Sequence, residues 1–262
     1  MGLKYYVVDA FAEHPFSGNP AGVCLLEHDL PTERMQQIAA QNNLAETAFV
    51  RKNGLDYNLR WFTPTVEINL CGHATLATAF VLHKFVEPQA AHFRFHTLSG
   101  LLTVTPKGEL YELDFPAWPM QPVEITPLMR RAVQPSEIIE AHAARDLILL
   151  LKDEAAVRAV TPDFAAMREI PGYLGVVATT APGENADFVS RVFGPKVGID
   201  EDHVTGSVHS ELIPFWAARL GKNKLLARQL SPRGGTLYCE NRGERVRIAG
   251  RARLYLTGEV HV

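Results

Sequence analysis

Cysteine is scarce: Cys24, Cys71 and Cys239 are the three in 262 residues, and no two of them form a CxxC pair. That excludes a disulfide framework and a zinc ribbon. No run of about 18 uninterrupted apolar residues is present, so no helical membrane span is expected. The opening stretch MGLKYYVVDAF lacks the apolar core of a signal peptide and the Ser or Thr of a myristoylation signal. Charge of one sign is missing too. With 26 basic against 29 acidic residues and a net charge of −3, there is no electrostatic footprint for nucleic acid or an anionic membrane. There is no GxSxG elbow, Walker loop, GxGxxG turn or HExxH pair. These absences leave a soluble, cytoplasmic protein with a small-molecule partner as the expectation, with no nucleic acid, membrane, nucleotide cofactor or resident metal. The apolar fraction of 47% is enough for a real core.

What is present alternates between strand and helix. KYYVVDAF reads as a strand, HPFSGNPAG as a turn and VCLL as a second strand. Pro31-Thr32-Glu33 starts a helix, with Met35, Ile38, Ala39 and Asn42 at helical spacing, before ETAFV turns to strand character. LRWF, TPTVEINL and CGHATLATAFVLHKF then read as strand, loop and helix. A repeat appears at an offset of 131 residues. Phe62, Pro64, Val66 and Ile68 recur as Phe193, Pro195, Val197 and Ile199, and Pro31 recurs as Pro162 ahead of another short helix, DFAAMREI. VHSELIPFWAARL reads as the second copy of the CGHAT helix. The repeat predicts two similar α/β halves whose helix starts face a common cleft, where ligands usually bind. The proline-rich LDFPAWPMQP, residues 113 to 122, joins them. The closing RVRIAGRARLYLTGEVHV is strand-like and is expected to pack on the first half.

Three polar features bear on such a cleft. Glu46 lies where helix becomes strand, among Leu44, Ala45, Ala48 and Phe49, and Val177 replaces it in the repeat. Burial would suit it to general acid/base work near neutral pH; the ordinary alternative is a solvent-facing strand acid. Gly72 permits close backbone approach, and His73 enters the following helix as a cap, an oriented core residue or a proton relay. In DEDHVTGS, Thr205 and Ser207 are explained as helix caps, while Asp200, Glu201 and Asp202 are not explained as a group. The unused N–H groups of Gly206 and Ser207 offer a seat for a carboxylate. His203 and His209 beside Asp202 are weak metal candidates. SPRGGTL, residues 231 to 237, reads as a hairpin connection.

Together, VDAF…PFSGNPAGV, AAQNNLAETAFV, FTPTVEINLCGHAT, DEDHVTGS and AGRARLYLTGEV resemble the phenazine-biosynthesis PhzF-like family, whose members look like diaminopimelate epimerase in fold. The resemblance spans the chain. It implies an α+β fold of two pseudo-symmetric α/β halves, each a mixed sheet around a central helix, with the active site in the cleft between them. The halves would be residues 1–115, joined by strand 251–262, and residues 116–250. It also implies a homodimer and a cofactor-free isomerisation of a small carboxylate-bearing substrate. Glu46 would then be the acid/base and His73 and Asp202 its polar partners. Gly206 and Ser207 would be the carboxylate seat with Thr205 beside them, and Asn19 and Gly72 would line the site. The chain departs from the family pattern at His203, at Ala45 and in the bulkier SVHSELIPFW.

Two other readings stay open. One is a carboxylate-binding scaffold without turnover. The other is a racemase or epimerase; a two-thiol version is disfavoured because Asp202 occupies the repeat position of Cys71, which reads better as a small lining residue.

Overall fold

The computed structural model describes residues 2–262. The chain divides into two compact units, one of residues up to Asp114 together with Ala249–Val262 and one of Phe115–Ile248. The first contains β1 (Gly2–Ala10), β2 (Asn19–Leu26), α1 (Thr32–Asn42), β3 (Glu46–Asn53), β4 (Asp56–Phe62), β5 (Glu67–Ile68), α2 (Gly72–Phe85), β6 (Phe93–Thr97), β7 (Gly100–Lys107) and β8 (Leu110–Pro116). The second contains β9 (Gln121–Pro122), α3 (Pro127–Ala132), β10 (Ile138–Ala143), β11 (Leu147–Leu151), α4 (Glu154–Ala159), α5 (Phe164–Glu169), β12 (Val176–Thr180), β13 (Phe188–Gly194), β14 (Ile199–Asp202), α6 (His209–Leu220), β15 (Lys224–Gln229) and β16 (Gly235–Asn241). The last strand, β17 (Arg245–His261), starts in the second unit and ends in the first, where it runs antiparallel to β1. Among the described residues no helix is long and apolar enough to cross a membrane.

In the first unit β2 and β3 are parallel, β3 and β4 antiparallel, β4 and β5 antiparallel, β4 and β6 parallel, and β6 and β7 antiparallel. The same succession recurs in the second unit through β11, β12, β13, β14, β15 and β16. Phe62 and Phe193 fall in β4 and β13, and Ile68 and Ile199 in β5 and β14. The sequence repeat is therefore a repeat of strand directions. A parallel neighbour needs a crossover long enough to return the chain, and α2 and α6 supply it between β4 and β6 and between β13 and β15.

Helix α2 packs against β1, β2, β3 and β7, and every residue from Gly72 to Ala79 is buried. An apolar stripe on one face marks a surface helix, whereas burial all round marks a core helix. The Ala- and Thr-rich sequence suits this position because its small side chains let strands approach from several directions. In the second unit Leu147, Leu149, Val176, Ala178, Val189 and Phe193 form a core with Met129 and Met167. Each fully buried side chain of Leu or Phe size contributes about 1.5–3 kcal/mol by leaving water.

Three boundaries differ from the sequence reading. Asn19 to Gly22 are not turn but the start of β2, paired to β1. The turn ends at Gly18, which has φ +72° and where a Cβ would lie 2.2 Å from the Ala10 carbonyl oxygen. Leu113 to Phe115 continue β8 rather than forming a linker. Helix α6 begins at His209, not Thr205, and is reached through a tight turn in which His209, Ser210 and Glu211 bond to the carbonyls of Gly206, Ser207 and Val208. Inside α6, Pro214 lacks the N–H that would bond the Ser210 carbonyl. That carbonyl accepts from the Trp118 amide at 2.9 Å instead.

Candidate active site

In the first unit, strand β3 and the start of α2 bring Glu46, Cys71, Gly72 and His73 together, and β2 adds Asn19. Glu46 opens β3 because α1 stops at Asn43, a residue in the left-handed conformation (φ 51°) whose N–H closes on the Ala39 carbonyl. Glu46 is 6% exposed, His73 5% and Asn19 0%. Glu46 Oε2 lies 3.0 Å from His73 Nε2. That is ion-pair distance, although the two atoms are not aligned as a hydrogen bond. Nδ1 on the other side of the ring lies 3.3 Å from Asn19 Nδ2 and 3.6 Å from Cys71 Sγ.

Electrostatics decide the form of the ring. Burial by itself pushes the imidazolium down, but the neighbouring Cys71 and Glu46 outweigh it and hold His73 well above the usual histidine range. Burial and the Glu46 charge push the Cys71 thiol up. A neutral ring accepts from the Asn19 amide at Nδ1; a protonated one donates there and needs the amide oxygen. Turning the Asn19 amide exchanges the two. Glu46, Cys71 and His73 also offer a carboxylate oxygen, a sulfur and a nitrogen within 4.8 Å of one another. This donor set is of the kind zinc takes, and it is the one such cluster among the described residues.

In the second unit the DEDHVTGS segment forms β14 and the turn into α6. The three acids do not act as a group. Asp200 lies 3.2 Å from Arg168, and Glu201 forms a two-point pair with Arg191 at 2.8 and 2.9 Å. Asp202 accepts a 2.5 Å bond from the Thr205 hydroxyl. The helix-cap reading of Thr205 and Ser207 is corrected here. The Thr205 hydroxyl is committed to Asp202, and Ser207 Oγ accepts from Arg145 Nη2 at 2.9 Å. The Val208 cap of α6 makes no side-chain bond. Thr205 N bonds the Gln229 side chain, whereas the amides of Gly206, Ser207 and Val208 meet no acceptor among the described residues. Neighbouring N–H groups without an acceptor at a helix start are the kind of donors an anion can use.

His209 belongs to no cluster of metal-ligating side chains among the described residues. It is fully buried, its Nδ1 donates to the Thr205 carbonyl at 2.8 Å, and burial pushes its pKa down to about 4, so the ring is neutral. With His203 and Asp202 it forms no ligand cluster among the described residues. The carbonyl of His203 accepts from Ser231 at 2.7 Å, in the loop that joins β15 to β16 as a hairpin.

Sequence reasoning missed three residues here. Gln229, 1% exposed, clamps the turn by bonding the Thr205 N–H, the Thr205 hydroxyl and the Asp202 carbonyl. Arg145 holds Ser207. Glu211, fully buried in α6, lies beside Asp146; burial first, and the Asp146 charge second, push its pKa up to about 8. The acid inside the apolar run HSELIPFW was the available signal for Glu211. A cavity of about 430 Å³ in this unit, lined by Val123, Thr126, Met129, Ile170 and Tyr173, contains none of the candidate residues.

Residues 8–258 match the sequence pattern of the phenazine biosynthesis-like proteins. An uncharacterized isomerase of Pseudomonas aeruginosa is 48% identical over 262 residues, the whole of both chains. The crystal structure of a PhzF-family phenazine biosynthesis protein from Enterococcus faecalis superposes with a TM-score of 0.97 at 50% identity, again over all of both chains. A predicted epimerase of Pseudomonas aeruginosa shares the fold, with a TM-score of 0.72 at 18% identity over 99% of each chain.

Proposed function

The chain belongs to the phenazine biosynthesis-like family and is an isomerase, and on that premise we propose that it moves a proton within a small carboxylate-bearing metabolite by glutamate acid/base catalysis. The observation that carries the reading is the buried pair of Glu46 and His73 at 3.0 Å. It places a carboxylate where water is excluded and beside a ring held in its charged form.

In the proposed reaction a C–H bond of the substrate breaks, its proton passes to Glu46, and the electron pair delocalises toward the adjacent carboxylate or double bond. The O–H bond formed on Glu46 then breaks as the proton returns to another carbon, or to the other face of the same one. No atom or electron is gained or lost. The His73 imidazolium offsets charge developing near Glu46, and the Gly206, Ser207 and Val208 amides take the carboxylate. Asp202, fixed by Thr205 and Gln229, sets the shape of that turn. Acid/base catalysis of this kind typically supplies about 10²–10⁴-fold. The proposed assembly is a homodimer, which sedimentation velocity would check.

The test is proton exchange at carbon. Candidate carboxylates incubated with the protein in D₂O should take up deuterium, and uptake should vanish in folded Glu46→Gln. Undiminished uptake in that variant overturns the assignment of the base; saturable binding with no uptake by either protein points to a binder without turnover.

A further inference from the structure

The Ser207 hydroxyl has one bond within the described residues, and in it the oxygen is the acceptor. Its donor is Arg145, half-buried, whose guanidinium is held on three sides. Nε and Nη2 both bond Asp146 Oδ2, at 2.9 and 2.6 Å, and the ring of Trp118 lies 5.0 Å from the guanidinium carbon. Asp146 is itself 2% exposed and anchored through its other oxygen by the Gly175 N–H at 2.8 Å. A Cβ on residue 175 would sit 3.0 Å from that oxygen, so glycine lets the backbone come close enough. The Arg145 fork therefore cannot swing away to solvent, as a surface arginine would.

We propose that Arg145 is a positioning residue that makes Ser207 an obligate hydrogen-bond donor to the carboxylate of the substrate. A hydroxyl has one hydrogen and two acceptor sites. With a guanidinium donating to one of those sites, the oxygen is a poor acceptor for anything else close by, and its hydrogen is left to point at the ligand. Charge-assisted donation polarises the O–H further. The amides of Gly206, Ser207 and Val208 are donors as well, so these three groups and the Ser207 hydroxyl all ask for an acceptor. The seat then selects a carboxylate over an isosteric amide, whose NH₂ would meet a donor. This inference rests on the proposed role of the turn as the carboxylate seat and adds the residue that enforces its selectivity.

The probe is malonate, with neutral malonamide as its counterpart, titrated into the ¹⁵N-labelled full chain while the amide signals of Gly206 and Ser207 are followed. The expected result for the native protein is a saturable shift with malonate and at least a ten-fold weaker response to malonamide. Arg145→Met and Ser207→Ala should each weaken malonate about ten-fold, the loss of one charge-assisted bond, and the double variant should bind no worse than Ser207→Ala alone. That lack of additivity is what an effect transmitted through Ser207 produces, and a merely structural role does not. Arg145→Lys, which keeps the charge but not the fork, should recover part of the loss. If Arg145→Met fails to fold with Asp146 uncompensated, Arg145→Met with Asp146→Asn keeps the Gly175 bond, removes the buried charge and is read in its place. Unchanged malonate binding in the arginine variant, or losses that multiply to about a hundred-fold in the double variant, overturns the role of Arg145 and leaves the seat standing. No shift in the native protein overturns the seat, and this inference with it.

Discussion

Replacing Glu211 by glutamine should remove the pH dependence that this residue imposes on stability. Glu211 is fully buried in α6, one of its oxygens has no partner, and the other receives a 3.4 Å bond from the Asp146 amide. Its pKa rises from 4.5 to about 8. The folded protein therefore keeps the Glu211 proton at pH values where the unfolded chain has released it. The contribution of this proton to stability is complete below about pH 4.5, declines as pH rises, and is gone above about pH 8. At about 1.36 kcal/mol per pKa unit, the 3.5-unit difference between the two values sets a ceiling of about 5 kcal/mol. The glutamine side chain does not titrate and still offers an oxygen to the Asp146 amide. Thermal unfolding followed by circular dichroism at pH 5, 6, 7, 8 and 9 would show it. The variant should be no more stable than the native protein at pH 5 and more stable at pH 9. Each kcal/mol is about 2–4 °C for a chain of this size, so even half the ceiling is a gap of at least about 5 °C. Parallel curves for the two proteins from pH 5 to 9 would refute the reasoning, because they would mean that Glu211 releases its proton at the same pH whether or not the chain is folded.

Other outcomes follow from neighbouring residues. His209 is buried and neutral with its pKa near 4, so the unfolded chain takes up a proton first as pH falls through about 6.5, and stability drops until about pH 4. At about 1.36 kcal/mol per unit the loss approaches about 3.4 kcal/mol, and His209→Asn, which keeps an N–H toward the Thr205 carbonyl, should flatten the acid limb of a melting-temperature profile. Gln229→Leu removes three bonds and strands the Thr205 amide. It should cost about 3 kcal/mol and, in an amide-exchange experiment, deprotect the 202–205 turn before the rest of the second unit.

Much of the fold was legible because it rests on local patterns. The Met35, Ile38 and Ala39 spacing marked α1, and the repeat of Phe62 and Ile68 at Phe193 and Ile199 marked a recurring strand-loop-helix order, although the short strands at Ile68 and Ile199 read as loop. The SPRGGTL hairpin was legible from its glycines and the missing helix signal. The Glu46 and His73 neighbourhood was legible through its resemblance to a family, since 27 residues of chain separate the two. The turn at Thr205 was misread for a physical reason. A Ser or Thr ahead of a helix is usually a cap, but here other partners claim both hydroxyls: Asp202, three residues upstream, takes one, and Arg145, 62 residues away, takes the other. Gln229 and Glu211 act over separations of 24 and 65 residues, and no local periodicity reports such contacts. The acid run at 200–202 looked like one feature because its residues are adjacent, yet β14 is extended, so neighbouring side chains point to opposite faces and find different arginines.

Pro214 has a consequence for anyone wishing to make this protein more robust. Exchanging a mid-helix proline for alanine is a routine engineering step, expected to add a backbone bond and raise the melting point. In α6 the restored amide would compete for the same Ser210 oxygen that tethers Trp118, and through Trp118 it would loosen the platform beneath Arg145. A gain in helix quality would then be traded against ligand discrimination at Ser207, so position 214 is one to leave alone.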